Sequence, residues 1–180
     1  MKIKLRKSKH DDLELIYDLH QKSFNESDQW YKSIISQYLH NGYILELVDK
    51  KIIGVLLQGD ITPCNNEASF FCNNEKLNSN NFFPTNNDGE EFLNTSKHNK
   101  EHYGITMICI DIKYRGKGLA KKLIETHIKD NPKKLLCLNT RMSNTNAYEL
   151  YKKMNYQQIA LIKNKYFLPN EDSIFMVYSI

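Results

Sequence analysis

Ile3 and Leu5 alternate with polar neighbours in the pattern of a short half-buried strand. After the charged stretch 9–12, apolar positions recur at helical spacing through Leu13, Ile16, Tyr17 and His20. A second helical stretch aligns Trp30, Ile34 and Tyr38 on one row and Tyr31, Ile35 and Leu39 on the next, and it stops at Asn41-Gly42. Two strands, 43–48 and 51–59, are separated only by Asp49-Lys50, a spacing that suits an antiparallel hairpin. Further on, a strand over 105–112, a helix over 117–130 and a short apolar strand over 135–140 read as a β-α-β unit, whose crossover length joins parallel strands. The rows Leu119, Leu123, His127 and Ala120, Ile124, Ile128 give that helix one apolar face, and Asn131-Pro132 ends it. A fourth helix carrying Ala147, Leu150, Tyr151 and Met154 leads to closing strands over 157–165 and 174–179.

Residues 60–101 interrupt this order. Eleven asparagines crowd a stretch with little sustained periodicity, and its seven acids against three lysines give it a charge of −4 where the whole chain carries +4. We read it as an Asn-rich acidic insertion within one domain spanning 1–180, a length and a 41% hydrophobic content that support a single core. The modest charge, spread along the chain, argues against nucleic acid as a partner. The first residues lack the apolar region of a secretory signal and no apolar run is long enough to span a bilayer, so a soluble, cytoplasmic protein without membrane association is expected. Cys64, Cys72, Cys109 and Cys137 lack the spacing of a disulfide framework, and reduced thiols are expected. No metal is expected either: His98 and His102 have zinc-finger spacing, but seven residues between Cys64 and Cys72 are too many for a metal knuckle.

The candidate chemistry lies in the turn from strand to helix, Lys113-Tyr114-Arg115-Gly116-Lys117-Gly118-Leu119-Ala120. Glycines let backbone N–H groups approach a ligand closely, and the first helical turn offers unpaired N–H groups at the positive end of its dipole, so the segment reads as an anion site. Lys121 and Lys122 add positive charge. A Walker A loop would need Ser or Thr after the lysine, and a Rossmann fingerprint would need a small residue where Lys121 stands.

Arg115, Gly118 and Ala120 do fill the [QR]-x-x-G-x-[GA] signature of the GNAT acetyltransferase superfamily. The later run Asn144-x-x-Ala147-x-x-Leu150-Tyr151 resembles that family's second motif, with Asn155-Tyr156 where Gly-Phe is usual. The order of elements is similar as well. The resemblance implies a GNAT-type α/β fold: a mixed, mostly antiparallel sheet with a central parallel β-α-β crossover and helices on both faces. It implies an N-acetyltransferase in which an amine attacks acetyl-CoA directly through a tetrahedral intermediate. The backbone of Arg115, Gly116, Lys117, Gly118, Leu119 and Ala120 would bind the CoA pyrophosphate, main-chain groups of Ile108 and Ile110 the pantetheine, and Asn144 would help hold the pantetheine arm. A backbone N–H near Ile110 would stabilise the oxyanion, and Tyr151 would protonate the leaving thiolate. Glu101 and His102, just before the central strand, are the candidate bases by position, with a solvated surface as their competing reading. Tyr151 also reads as a packed core aromatic. Phe24, Trp30 and Tyr31 lie where the family builds its acceptor pocket. The implied acceptor is a small-molecule amine, a protein lysine or a protein N-terminus, and dimers are common in the family. The competing function is a catalytically silent acyl-CoA-binding or protein-interaction module.

Overall fold

In the computed structural model, residues 2–26, 29–60, 82–84, 102–167 and 169–179 are described. The chain runs β1 (Ile3–Lys7), α1 (Leu13–Ser23), α2 (Lys32–Tyr38), β2 (Tyr43–Leu47), β3 (Ile52–Asp60), β4 (Phe82–Pro84), β5 (His102–Ile110), α3 (Leu119–Asp130), β6 (Leu135–Arg141), α4 (Thr145–Lys153), β7 (Tyr156–Phe167) and β8 (Asn170–Tyr178). The class is the expected mixed α/β, and β1/β2, β2/β3, β6/β8, β7/β8 and β4/β7 all pair antiparallel. The chain divides into two compact units, Met1–Gly59 with Ile105–Pro132, and Asp60–Gly104 with Lys133–Ile180.

In the first unit the strands lie in the order β1, β2, β3, β5. Ile52 to Gly59 is buried throughout, which accounts for the near-continuous apolar run of β3: helices cover both of its faces. Ile16 and Leu19 of α1 and Ile35 of α2 pack with Ile44, Val55, Leu57, Met107 and Cys109. On the other face α3 brings buried His127 to the Gln58 side chain, and the Tyr43 hydroxyl donates to Asp130 at 2.7 Å. Arg6 ties β1 to the start of α1 and to β2 through Asp12 (2.7 Å) and Glu46 (3.1 Å).

The β2–β3 turn is longer than the two residues expected. Lys50 donates its N–H to Leu47 O (3.0 Å) and Leu47 its N–H to Lys51 O (2.9 Å), with Lys50 left-handed at φ 65, so three residues make the turn. Helix α2 also starts later than its apolar rows suggest. The Trp30 N–H donates to His20 Nε2 at 2.7 Å, and Tyr31 is extended as the N-cap, so a tertiary contact takes the residue that would have begun the helix.

The second unit orders β6, β8, β7 and β4. Its core joins Cys137, Ala160, Ile162, Phe175 and Val177. Phe82–Pro84, inside the stretch read as irregular, pairs with 160–162 of β7 at the end of this order. Consecutive aromatic residues favour a strand and proline is tolerated at an edge. Burial pushes the thiols of Cys109 and Cys137, one in each core, up to about 12, so both are un-ionised near neutrality.

Candidate active site

β5 ends at buried Ile110, and Asp111 turns the chain. The Asp111 carboxylate accepts from Lys113 N (2.9 Å) and pairs with Lys51 (3.0 Å), while its own N–H donates to Ile53 O (2.9 Å). Burial opposes ionisation of Asp111, but the Lys113 N–H and the Lys51 ammonium outweigh it and hold the carboxyl below its ordinary range. A short 3-10 turn, Ile112–Tyr114, follows. Gly116 and Gly118 then adopt φ +74 and +73, and α3 starts at Leu119, two residues later than expected, because Gly118 is left-handed.

Gly118 is the N-cap and has no side chain to cap the helix, so the N–H groups of the first turn of α3 are left for another acceptor. A Cβ built on either glycine would meet nothing within 4 Å. Space beside the turn, backbone donors and the positive helix end therefore coincide. Lys117 in the turn and Lys121 and Lys122 in the first turn of α3 are exposed; the Lys117 ammonium lies 5.2 Å from the Tyr114 ring centre, and Lys121 pairs with Glu125 at 3.7 Å. The Arg115 side chain takes another direction. Its Nε donates to Ile110 O at 3.0 Å and one terminal nitrogen reaches Ser23 O at 3.5 Å. Leu119 is buried and Ala120 half-buried, anchoring the helix end, while Ile108 is half-buried on β5.

Two further predicted residues lie in the second unit. Asn144 caps α4, its Oδ1 accepting from Ala147 N at 3.3 Å, which commits the oxygen and leaves the amide nitrogen as the donor it can offer. The loop before it is pinned by Glu171, which accepts from Ser143 N and pairs with Arg141 at 3.1 Å. Arg141 in turn stacks over the Tyr166 ring at 4.0 Å. Tyr151, on the inner side of α4, is 5% exposed and packs edge-on against Tyr156 at 5.9 Å. Burial, with a smaller contribution from Tyr166, raises its hydroxyl well above the ordinary phenol range. Asn155 ends the α4 segment at φ 64, left-handed at the position where the resembling motif usually has glycine.

Glu101 lies outside the described residues, as does the His102 side chain, although the His102 backbone opens β5; Cys64, Cys72 and His98 lie outside them too. Of the expected acceptor-pocket residues, Phe24 and Trp30 lie against buried His20, with ring centres 4.6 and 6.2 Å away, and Tyr31 is exposed. Asp111, Lys51, Ser23 and Glu171 were missed by the sequence reasoning. Only Asp111 had a local signal, an aspartate directly after an apolar strand where it can accept from the chain two residues on.

A model of the acetyltransferase (GNAT) family matches residues 13–156. No curated protein sequence matches the chain. Among solved structures, Arabidopsis thaliana NAA60 in complex with acetyl-CoA is similar at 18% identity and a TM-score of 0.73, covering 99% of this chain and all of that one. The ribosomal-protein-S18-alanine N-acetyltransferase of Escherichia coli gives 16% and 0.68, over 98% of this chain and 93% of its own. The NatC complex bound to Gag peptide and CoA gives 17% and 0.69, over 100% and 99%.

Proposed function

Because the chain belongs to the acetyltransferase (GNAT) family, we propose that it transfers an acetyl group from acetyl-CoA to a primary amine. The observation that carries this reading is the uncapped start of α3 behind two left-handed glycines, with open space where their side chains would stand. Such a site fits a pyrophosphate: backbone N–H groups supply the donors, and exposed Lys117, Lys121 and Lys122 supply the countercharge. The main chain of β5 at Ile108 and Ile110 would hold the pantetheine, together with the Asn144 amide nitrogen, and an N–H at Ile110 would stabilise the oxyanion.

Tyr151 is the proton donor to the departing thiolate, which leaves as the free thiol. Burial keeps its hydroxyl protonated throughout the neutral range, so it is always available as a donor. A protonated amine cannot attack, and the base remains the assignment of the sequence, Glu101 or His102. For the acceptor, peptide N-termini come first: one similar structure is of an enzyme named for acetylating a ribosomal-protein alanine, and another holds a peptide and CoA. We read 1–180 as one such transferase domain.

Thiol release from acetyl-CoA, measured across a panel of peptides, lysine side-chain mimics and small amines, tests the reading. Tyr151→Phe should lower turnover by about 100-fold while leaving CoA affinity within about twofold. Unchanged turnover would remove Tyr151 from the mechanism. CoA binding without release for any amine would instead indicate a silent acyl-CoA-binding module.

A further inference from the structure

We propose that Arg115 serves the turn as a brace and not as a cation, a reading that rests on the donor site proposed above. Among the described charged residues of the turn, Arg115 points back into its own unit: Nε donates to the last carbonyl of β5, Ile110 O, at 3.0 Å. This bond closes a loop over the four residues 111–114, which contain the 3-10 turn, and sets the direction in which the chain enters Gly116. The terminal nitrogen at 3.5 Å from Ser23 O meets the C-terminal end of α1. There the last-turn carbonyls are being satisfied one by one, His20 O by Phe24 N at 3.1 Å and Gln21 O by the Gln29 side chain at 3.0 Å. The guanidinium charge thus sits at the negative end of α1 and on a strand-end carbonyl. Lys117, Lys121 and Lys122 are left to provide charge at the start of α3.

Covalent connectivity turns this into a test. The side-chain nitrogen of glutamine stands the same number of bonds from Cα as the Nε of arginine, so glutamine can donate to Ile110 O without any charge. Lysine keeps the charge but places a methylene at that point. A brace therefore predicts that the uncharged variant behaves better than the charged one, opposite to the order expected of an anion-binding cation.

The experiment is calorimetric titration with CoA at several salt concentrations for the wild type, Arg115→Gln, Arg115→Lys and Lys117→Gln, with the thermal midpoint of each recorded. Arg115→Gln is expected to bind within about twofold of the wild type with the same salt dependence, Arg115→Lys about tenfold more weakly, and Lys117→Gln with a flatter salt dependence. Wild-type affinity in Arg115→Lys overturns the proposal, as does a tenfold loss in Arg115→Gln. Amide hydrogen exchange over residues 111–118 gives a readout that needs no ligand. If the wild type fails to bind CoA, the donor reading fails on its own. The brace then stands if protection survives in Arg115→Gln and drops in Arg115→Lys, and falls if both lose it equally.

Discussion

Replacing His127 with glutamine should flatten the acid sensitivity of the fold. His127 is fully buried on α3, where its Nδ1 meets the Gln58 side chain. Burial, with the nearby Lys7 charge, lowers its pKa from 6.5 to about 4. The native state therefore holds a neutral imidazole that the unfolded chain protonates more readily. Native stability is intact above the unfolded value, falls as the pH drops from about 6.5 through about 4, and levels off below. The gap corresponds to about 3 kcal/mol in all, of which about 2 kcal/mol is lost between about pH 7 and pH 5. The substituted glutamine would retain a side-chain donor toward Gln58 but cannot titrate. Denaturant unfolding of both proteins at the two pH values isolates the residue, because every other titrating group cancels in the double difference. The wild type should lose about 2 kcal/mol more than the variant on acidification. Parallel losses would mean that the native and unfolded imidazoles take up their proton over the same pH range and would refute the reasoning. An NMR titration placing its imidazole near 6.5 would refute it as well.

Gly118→Ala should weaken CoA binding through the backbone and not through a clash, since the new methyl meets nothing within 4 Å while φ is +73. A left-handed alanine costs about 1–2 kcal/mol, seen as lost affinity in titration or as a lower thermal midpoint. Asn155→Ala should destabilise by about 1 kcal/mol and Asn155→Gly should not, because φ is 64 at that position; thermal unfolding of the pair checks it.

How far the fold was legible depended on whether local pattern and tertiary contact agreed. The buried run of β3, the apolar face of α3 and the left-handed end at Asn155 were readable because their residue types are required by the backbone or by two-sided burial. The start of α2 was not, since Trp30 fits the helical period but its N–H is taken by His20 from another helix. The left-handed turn before α3 was legible through its glycines. The direction of Arg115 was hidden, because its partners Ile110 and Ser23 offer backbone carbonyls, which any residue type would present. Glu171 was equally hidden, lying 28 positions from the Ser143 N–H that it accepts.

The two buried thiols give the protein a built-in clock. Cys109 belongs to the core of one unit and Cys137 to that of the other, and neither forms thiolate at ordinary assay pH while buried. With Cys64 and Cys72 replaced by serine, a thiol-reactive dye should label each site only as fast as its own surroundings open. Mass spectrometry of the labelled peptides would then time the opening of the two cores separately, in one tube and without an added probe. The same protection keeps these cysteines silent when released CoA is counted through its free thiol, so a steady rise of that signal at this pair would mark partial unfolding and not turnover.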